Sequence, residues 1–409
     1  MFICSVYSCQ EKQPETTQFI VKGTTVNTDT KLLHLFTPEQ DFTFDKGIQI
    51  PVTNHQFEYE LKINSSQGYI LMMDETVNNG GGRYLNVFVE PGVTELTIHN
   101  EENFDSNIVK GSTLNNDYKV FSKQQKEEFW DVSNSYYDSL NKMQQNKTYG
   151  TKAYYDLKQK QETTTDFLEK KYYYTLLDSL KKVNQYYSTT ATPIQNAIDS
   201  IQKIALESKY QYINKRKDIL AYFLLFESVI YDENRLNYRD VFQTFESLKT
   251  KYPNHPYTAK IETIINGKQN IQIGNTFIDI TAPTIEGEEK RISTLIKDKV
   301  AIIDLWGSWC GPCIAKSKKL IPVYEKYKDK GFTVVGIAGE FDNTKALEKA
   351  LKRDKYPWIN LVELDRAQNI WQQYGIRVGG AIFLINQKGE IIAINPTAYE
   401  VEQQLKVLL

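Results

Sequence analysis

The alternation of apolar and polar side chains changes character twice along the 409 residues. Over residues 17–112 the pattern is short and two-fold. Phe57-Glu-Tyr-Glu-Leu-Lys-Ile63 puts an apolar side chain at every second position, as a strand with one buried face requires. Leu85-Asn-Val-Phe-Val89 and Leu96-Thr-Ile98 continue the pattern, with turn sequences such as Asp45-Lys-Gly47, Asn78-Asn-Gly-Gly-Gly82 and Glu90-Pro-Gly92 between the strands. Several short strands at this spacing predict an N-terminal antiparallel β-sandwich.

Over residues 113–268 Gly and Pro almost vanish, and Lys, Gln, Glu, Leu and Tyr dominate. Ile194, Ile198, Ile201 and Ala205 recur at three- and four-residue steps on one helical face. Further helices are expected over Arg216–Phe226 and Val241–Leu248, and Tyr252-Pro-Asn-His-Pro-Tyr257 breaks the pattern. The Tyr runs Tyr172-Tyr173-Tyr174 and Tyr186-Tyr187 are read as helix-packing residues with their hydroxyls at the rim.

Residues 271–409 alternate strand and helix. Val300-Ala-Ile-Ile-Asp-Leu-Trp306 is almost continuously apolar, as in a strand buried on both faces. A Lys-rich helix follows as far as Gly331, then the strand Phe332–Ala338, the helix Thr344–Arg353 and a strand near Ile359–Leu364. The hairpin strands Ala381–Ile385 and Glu390–Ile394 and the helix Ala398–Leu408 complete a β-α-β-α-β-β-α order, a sheet flanked by helices.

Composition narrows the function classes. With 49 Lys and Arg against 51 Asp and Glu, the net charge of −2 lacks the footprint of a nucleic-acid binder. No apolar run approaches the roughly 20 residues of a spanning helix. His34, His55 and His99 are widely separated, and no metal site is expected among them.

The four cysteines form two pairs. Cys4 and Cys9 lie in an apolar start followed by a polar stretch, and residues 1–16 read as a lipoprotein signal remnant and linker. Val6-Tyr7-Ser8-Cys9 takes the lipobox position, with Cys9 as the acylated residue. Tyr7 is bulky for its place, and no basic segment precedes the apolar one. On this reading the protein is lipid-anchored in the periplasm or cell envelope.

Trp306-Gly-Ser-Trp309-Cys310-Gly311-Pro312-Cys313 falls where the apolar strand gives way to a helix. The first thiol lies at the helix N-terminus, where free N–H groups favour a thiolate, so Cys310 is the expected nucleophile. Cys313, one turn further in and expected to be less exposed, is suited to resolving a mixed disulfide. A zinc site would need further ligands that the neighbouring sequence does not supply. Asp304, between Ile303 and Leu305, should be buried, with its proton affinity raised.

Residues 271–409 resemble the extracytoplasmic thioredoxin family of TlpA/ResA type, which implies a thioredoxin-like α/β fold. Trp309-Cys-Gly-Pro-Cys313 is identical to the thioredoxin active-site motif, and Phe383-Leu-Ile-Asn-Gln-Lys-Gly-Glu-Ile391 resembles the TlpA-type hairpin. The resemblance implies that Asp304, six residues before Cys310, relays protons for the second cysteine. Trp309 would wall the site. Its Gly311-Pro312 pair points to a reductant, since thioredoxin itself has a potential of about −270 mV. Residues 17–112 resemble the DUF4369 β domain, most clearly at Phe88-Val-Glu-Pro-Gly92 and Val109-Lys-Gly-Ser112.

Three positions depart from the family. Lys316 stands where a Glu is usual, Lys318 where a Pro often kinks the helix, and Gly380 where a cis-proline faces the dithiol. With Gly379 before it, Gly380 should form a trans bond in a loose substrate-docking loop, and Gly380→Pro should speed turnover if that looseness is limiting. The expectation is a disulfide reductase acting on exported proteins, with a membrane thiol electron donor and no bound cofactor. The alternative is a binding protein whose thioredoxin-like module is a docking platform, and Gly380 is the feature that favours it.

Overall fold

A computed structural model describes residues 18–165, 167–232, 238–376 and 379–409. Cys4 and Cys9 lie outside the described residues, as does the side chain of Tyr172. The described chain consists of an N-terminal β-rich region, a helical middle and a C-terminal thioredoxin-like α/β domain.

Eight strands build the β-rich region: β1 (Phe19–Val26), β2 (Leu32–Phe36), β3 (Ile48–Pro51), β4 (Gln56–Glu60), β5 (Gln67–Met73), β6 (Leu85–Val89), β7 (Gly92–His99) and β8 (Ile108–Lys110). They form two sheets, ordered β4-β1-β7-β8 and β3-β2-β5-β6. Phe19, Val21 and Leu96 of the first sheet and Leu33, Ile50 and Val87 of the second share one buried core, so the sheets are sandwiched as the alternation requires. One pairing corrects the antiparallel expectation: β1 and β7 run parallel, Phe19 opposite Gly92 through Val26 opposite His99. The chain between them is long enough to carry β2–β6 and return in the same direction.

A short helix, α1 (Asp74–Asn78), lies within this region, and eight more occupy the middle: α2 (Thr113–Gln125), α3 (Asp131–Gln145), α4 (Lys152–Thr163), α5 (Phe167–Lys182), α6 (Ala191–Arg216), α7 (Ile219–Tyr231), α8 (Tyr238–Lys251) and α9 (Pro256–Asn270). Arg216–Phe226 is not one helix. Lys217 is left-handed at φ 54°, and the Asp218 carboxylate accepts the Ala221 N–H to start α7. The chain divides into two compact units, one gathering the described parts of Met1–Glu128, Glu207–Asn237 and Thr244–Lys251, the other Phe129–Leu206, Tyr238–Gln243 and Tyr252–Leu409.

Within the second unit the hairpins α3–α4 and α5–α6 interlock through their turns. Thr151 N–H donates to the Tyr186 carbonyl (3.2 Å), and Ser188 N–H donates to the Tyr149 carbonyl (2.9 Å). The two hydroxyls follow the same reciprocal pattern, Thr151 to the Gln185 carbonyl (2.5 Å) and Ser188 to the Thr148 carbonyl (2.7 Å). Tyr186 and Tyr187 pack around Tyr149 in this core, in the packing role read from the sequence.

The C-terminal domain starts with a small hairpin, β9 (Thr281–Pro283) and β10 (Glu289–Arg291), and the turn of helix α10 (Ile292–Leu295). Next come β11 (Val300–Trp306), α11 (Gly311–Tyr327), β12 (Phe332–Glu340), α12 (Lys345–Asp354), β13 (Ile359–Leu364), α13 (Ile370–Gln373), β14 (Ala381–Ile385), β15 (Ile391–Ile394) and α14 (Ala398–Leu408). The five-stranded sheet is ordered β13-β12-β11-β14-β15, which puts β11 in the centre. Its residues alternate between two cores: Ala301, Ile303 and Leu305 join Trp371 and Phe383, while Val300 and Ile302 join Leu320 and Val323 of α11. Asp304 sits in the second row, an acid in an apolar stripe facing the helix that carries the cysteines.

Candidate redox site

The central strand ends at Trp306, and the chain turns through Gly307-Ser308-Trp309 into α11. Cys310 is the N-cap of that helix, and its Sγ accepts the Cys313 N–H at 3.3 Å. Pro312 falls in the first turn, where a missing N–H costs nothing. Cys310 and Cys313 are joined by a disulfide, with their Cα atoms 5.3 Å apart.

Exposure does not distinguish the two cysteines in this oxidised form. Each is 3% exposed, which corrects the expectation that Cys313 is the more buried. The polar surroundings do distinguish them. Cys310 Sγ receives an N–H, which favours a thiolate, whereas Cys313 Sγ lies 3.2 Å from the Gly379 carbonyl oxygen, which favours a thiol.

Asp304 is 2% exposed, and desolvation raises its pKa to about 7; the Ser317 hydroxyl and the charge of Lys316 pull the other way. Ser317, one turn beyond Cys313 in α11 and itself buried, places its Oγ 2.5 Å from Asp304 Oδ2 and 3.0 Å from the Cys313 carbonyl oxygen. Nothing in the sequence marked Ser317, although its helical spacing from Cys313 and the apolar row around Asp304 together would have placed the two side by side.

A second buried acid shapes the loop before the dithiol. Glu340, at the end of β12, accepts the Ser308 N–H at 2.7 Å and the Ser308 hydroxyl at 2.6 Å. Burial raises its proton affinity, and these two hydrogen bonds oppose that rise. Trp309 Nε1–H donates to the Gly339 carbonyl at 2.8 Å, and the ring lies tilted against Trp371 and Phe341, at centroid distances of 5.8 and 6.0 Å. Glu340 and Gly339 therefore hold the loop and its tryptophan from one strand end. Gly311 is half-buried and Pro312 exposed beside the cysteines.

Gly379 and Gly380 come immediately before β14, at the site inferred for the cis-proline. There is no cis peptide bond among the described residues. Gly380 has φ 58°, and a Cβ there would stand 2.3 Å from the Leu305 carbonyl oxygen and 2.6 Å from Cys313 Sγ. This corrects the expected gain from Gly380→Pro: proline is locked near φ −65° and is bulkier than a Cβ that already has no room. The backbone touches the dithiol here because glycine occupies the position.

Residues 273–394 match the AhpC/TSA family and residues 19–118 match the domain of unknown function DUF4369. The thiol-disulfide oxidoreductase ResA of Bacillus thuringiensis is 28% identical over 128 residues, 31% of this chain and 70% of that protein. ResA of Halalkalibacterium halodurans is 26% identical over 124 residues, 30% of this chain and 67% of that protein. A solved C-terminal domain of a thiol-disulfide oxidoreductase from Bacteroides thetaiotaomicron is 26% identical, covering 34% of this chain and 95% of that one with a TM-score of 0.31. Residues 273–394 thus carry a thioredoxin-like domain that matches the AhpC/TSA family, residues 19–118 match DUF4369, and the ResA relatives that the C-terminal domain resembles are thiol-disulfide oxidoreductases.

Proposed function

We propose that this protein reduces disulfides in exported proteins, with Cys310 as nucleophile, Cys313 as resolving thiol and Asp304 as proton acceptor. The observation that carries the reading is the asymmetry of the pair: an N–H on Cys310 Sγ, a carbonyl oxygen beside Cys313 Sγ, and a buried acid whose pKa of about 7 suits proton exchange. In the reduced protein the Cys310 thiolate attacks one sulfur of a substrate disulfide and the other sulfur leaves as a thiolate. The Cys313 proton passes to Asp304, and Cys313 Sγ attacks Cys310 Sγ. The Cys310–substrate bond breaks, the second substrate thiolate leaves, and the protein ends as the Cys310–Cys313 disulfide. Two electrons have moved from the protein to the substrate, and a membrane thiol donor would restore the dithiol. Trp309, Gly311, Pro312, Gly379 and Gly380 border the dithiol and would receive the substrate chain.

Acylation of Cys9 would hold this site at the membrane, in the periplasm or cell envelope. Among the described residues no helix is long and apolar enough to cross a membrane. The acyl chains on Cys9 are the anchor in this reading. Gly380 is the feature that favours the second reading, a docking platform with little turnover, because it replaces the residue that organises substrate strands in the family.

Insulin reduction separates the two. Under the first reading wild type reduces insulin, Cys310→Ser abolishes the activity, and Cys313→Ser accumulates mixed disulfides whose partners are exported proteins. Wild-type turnover no faster than that of Cys310→Ser would establish the docking reading instead.

A further inference from the structure

A buried acid that gains and loses a proton has a hydrogen-bonding problem as well as an electrostatic one. Ionised, its oxygens need donors; protonated, its O–H needs an acceptor, and either need left unmet inside a protein is costly. At Asp304 a single hydroxyl stands within reach of both requirements. Ser317 Oγ is 2.5 Å from Asp304 Oδ2 and 3.0 Å from the Cys313 carbonyl oxygen, on a side chain only 1% exposed.

We infer that Ser317 is a positioning residue that acts through Asp304 as a two-way hydroxyl switch, donating to the ionised carboxylate and, once Asp304 holds the proton, accepting from it while turning its own hydrogen to the Cys313 carbonyl. The inference rests on Asp304 being the proton acceptor of the reaction. No heavy atom moves between the two states, and each leaves every hydrogen of the trio with an acceptor. The switch also ties the acid to the turn of α11 that carries the resolving cysteine, because the second acceptor is that cysteine's own carbonyl.

The other groups around Asp304 do not fill this role. Lys316 on α11 is exposed and acts on the carboxylate only by its charge. Tyr356, which precedes β13, has a buried hydroxyl without a hydrogen-bond partner among the described residues, and it feels Asp304 only electrostatically. On the neighbouring strands Gly336 and Ile382 are the residues in register with Asp304, and neither carries a charge. The nearby amide of Asn360 is committed to Trp306 Nε1–H at 2.9 Å and to the Trp358 carbonyl at 3.2 Å.

The test compares Ser317→Ala, Ser317→Thr and Ser317→Val; Thr and Val have nearly the same volume and differ in the hydroxyl. Asp304 is titrated through its carboxyl carbon by NMR in the oxidised full chain, which requires no turnover, and the pH–rate profile of insulin reduction is recorded alongside. Loss of a hydroxyl donor to the carboxylate should move the Asp304 midpoint up by about one pH unit in Ala and Val, with Thr returning it to the wild-type position. The pH–rate profile should move with it, and turnover at neutral pH should fall by roughly three- to ten-fold. A midpoint equal in Thr and Val would overturn the inference. A pH–rate profile that Asp304→Asn leaves unchanged would instead overturn the role of Asp304, and the switch with it.

Discussion

Asp304 and Glu227 are carboxylates of the same kind in two regions of the molecule, the first on the central strand of the thioredoxin-like domain, the second on α7 in the N-terminal unit. Burial raises the proton affinity of both. Their partners differ. Glu227 accepts from the Asn86 amide at 3.2 Å, and the Lys209 ammonium lies 3.8 Å from its other oxygen. Asp304 is bonded by the neutral Ser317 hydroxyl and lies on the face of the sheet that meets the dithiol helix. A buried acid with a counter-ion and an amide ties several elements together, and altering it disturbs the fold. A buried acid held by a hydroxyl can change its charge without breaking an ion pair. Burial alone therefore does not identify a working acid.

The comparison is tested most severely at Gly380. Gly380→Pro demands a φ of opposite sign and room beside Cys313 Sγ that does not exist, so insulin reduction should collapse and the domain should lose about 3 kcal/mol or more. Denaturant midpoints and initial rates measure both effects. Unchanged stability with faster reduction would show that the left-handed loop is not what supports the site.

Asp304→Asn and Glu227→Ala should then have opposite consequences. The folded protein keeps the Asp304 proton up to about pH 7, whereas the unfolded chain releases it near 3.8, so Asp304 costs stability increasingly as pH rises between those values. Asp304→Asn should be indistinguishable from wild type in denaturant below pH 4 and more stable above pH 7, by up to about 4 kcal/mol, while reducing insulin more slowly. Glu227→Ala should lose about 2–4 kcal/mol and keep its rate per folded molecule. A stability difference for Asp304→Asn that ignores pH would remove the contrast between the two acids.

The smallest effect is expected at Glu340→Gln. The amide can still accept from Ser308 but lacks the charge, so the loop before Cys310 should loosen at a cost of about 1 kcal/mol and a few-fold in rate. The Trp309 share of the tryptophan emission, taken as the difference from the same protein carrying Trp309→Phe, reports loosening, and an unaltered difference spectrum and rate would confine Glu340 to a packing role.

Much of this was legible along the chain. β6, β11, β13, β14 and α14 begin and end where the apolar pattern places them, because strand and helix periodicities and caps are encoded within a few residues. The dithiol and the burial of Asp304 were legible for the same local reason: a short motif at a strand–helix junction, and an acid inside an apolar run. Four features were not. Ser308 meets Glu340 only because β11 and β12 pair in parallel with Trp306 opposite Ala338, a register set by the helix between them and marked by no local signal. Gly380 is left-handed against Cys313 Sγ because the loop entering β14 must pass the end of α11, whereas the sequence showed only an absent proline. The parallel β1–β7 pair and the interlocked turns of the two helical hairpins likewise depend on contacts between distant segments. The sequence alone determined which elements exist, which faces they bury and where the thiols lie. The tertiary structure alone decided which hydrogen-bonding group stands beside each sulfur and each acid, because those distances depend on strand register and helix placement, and periodicity carries no information about either.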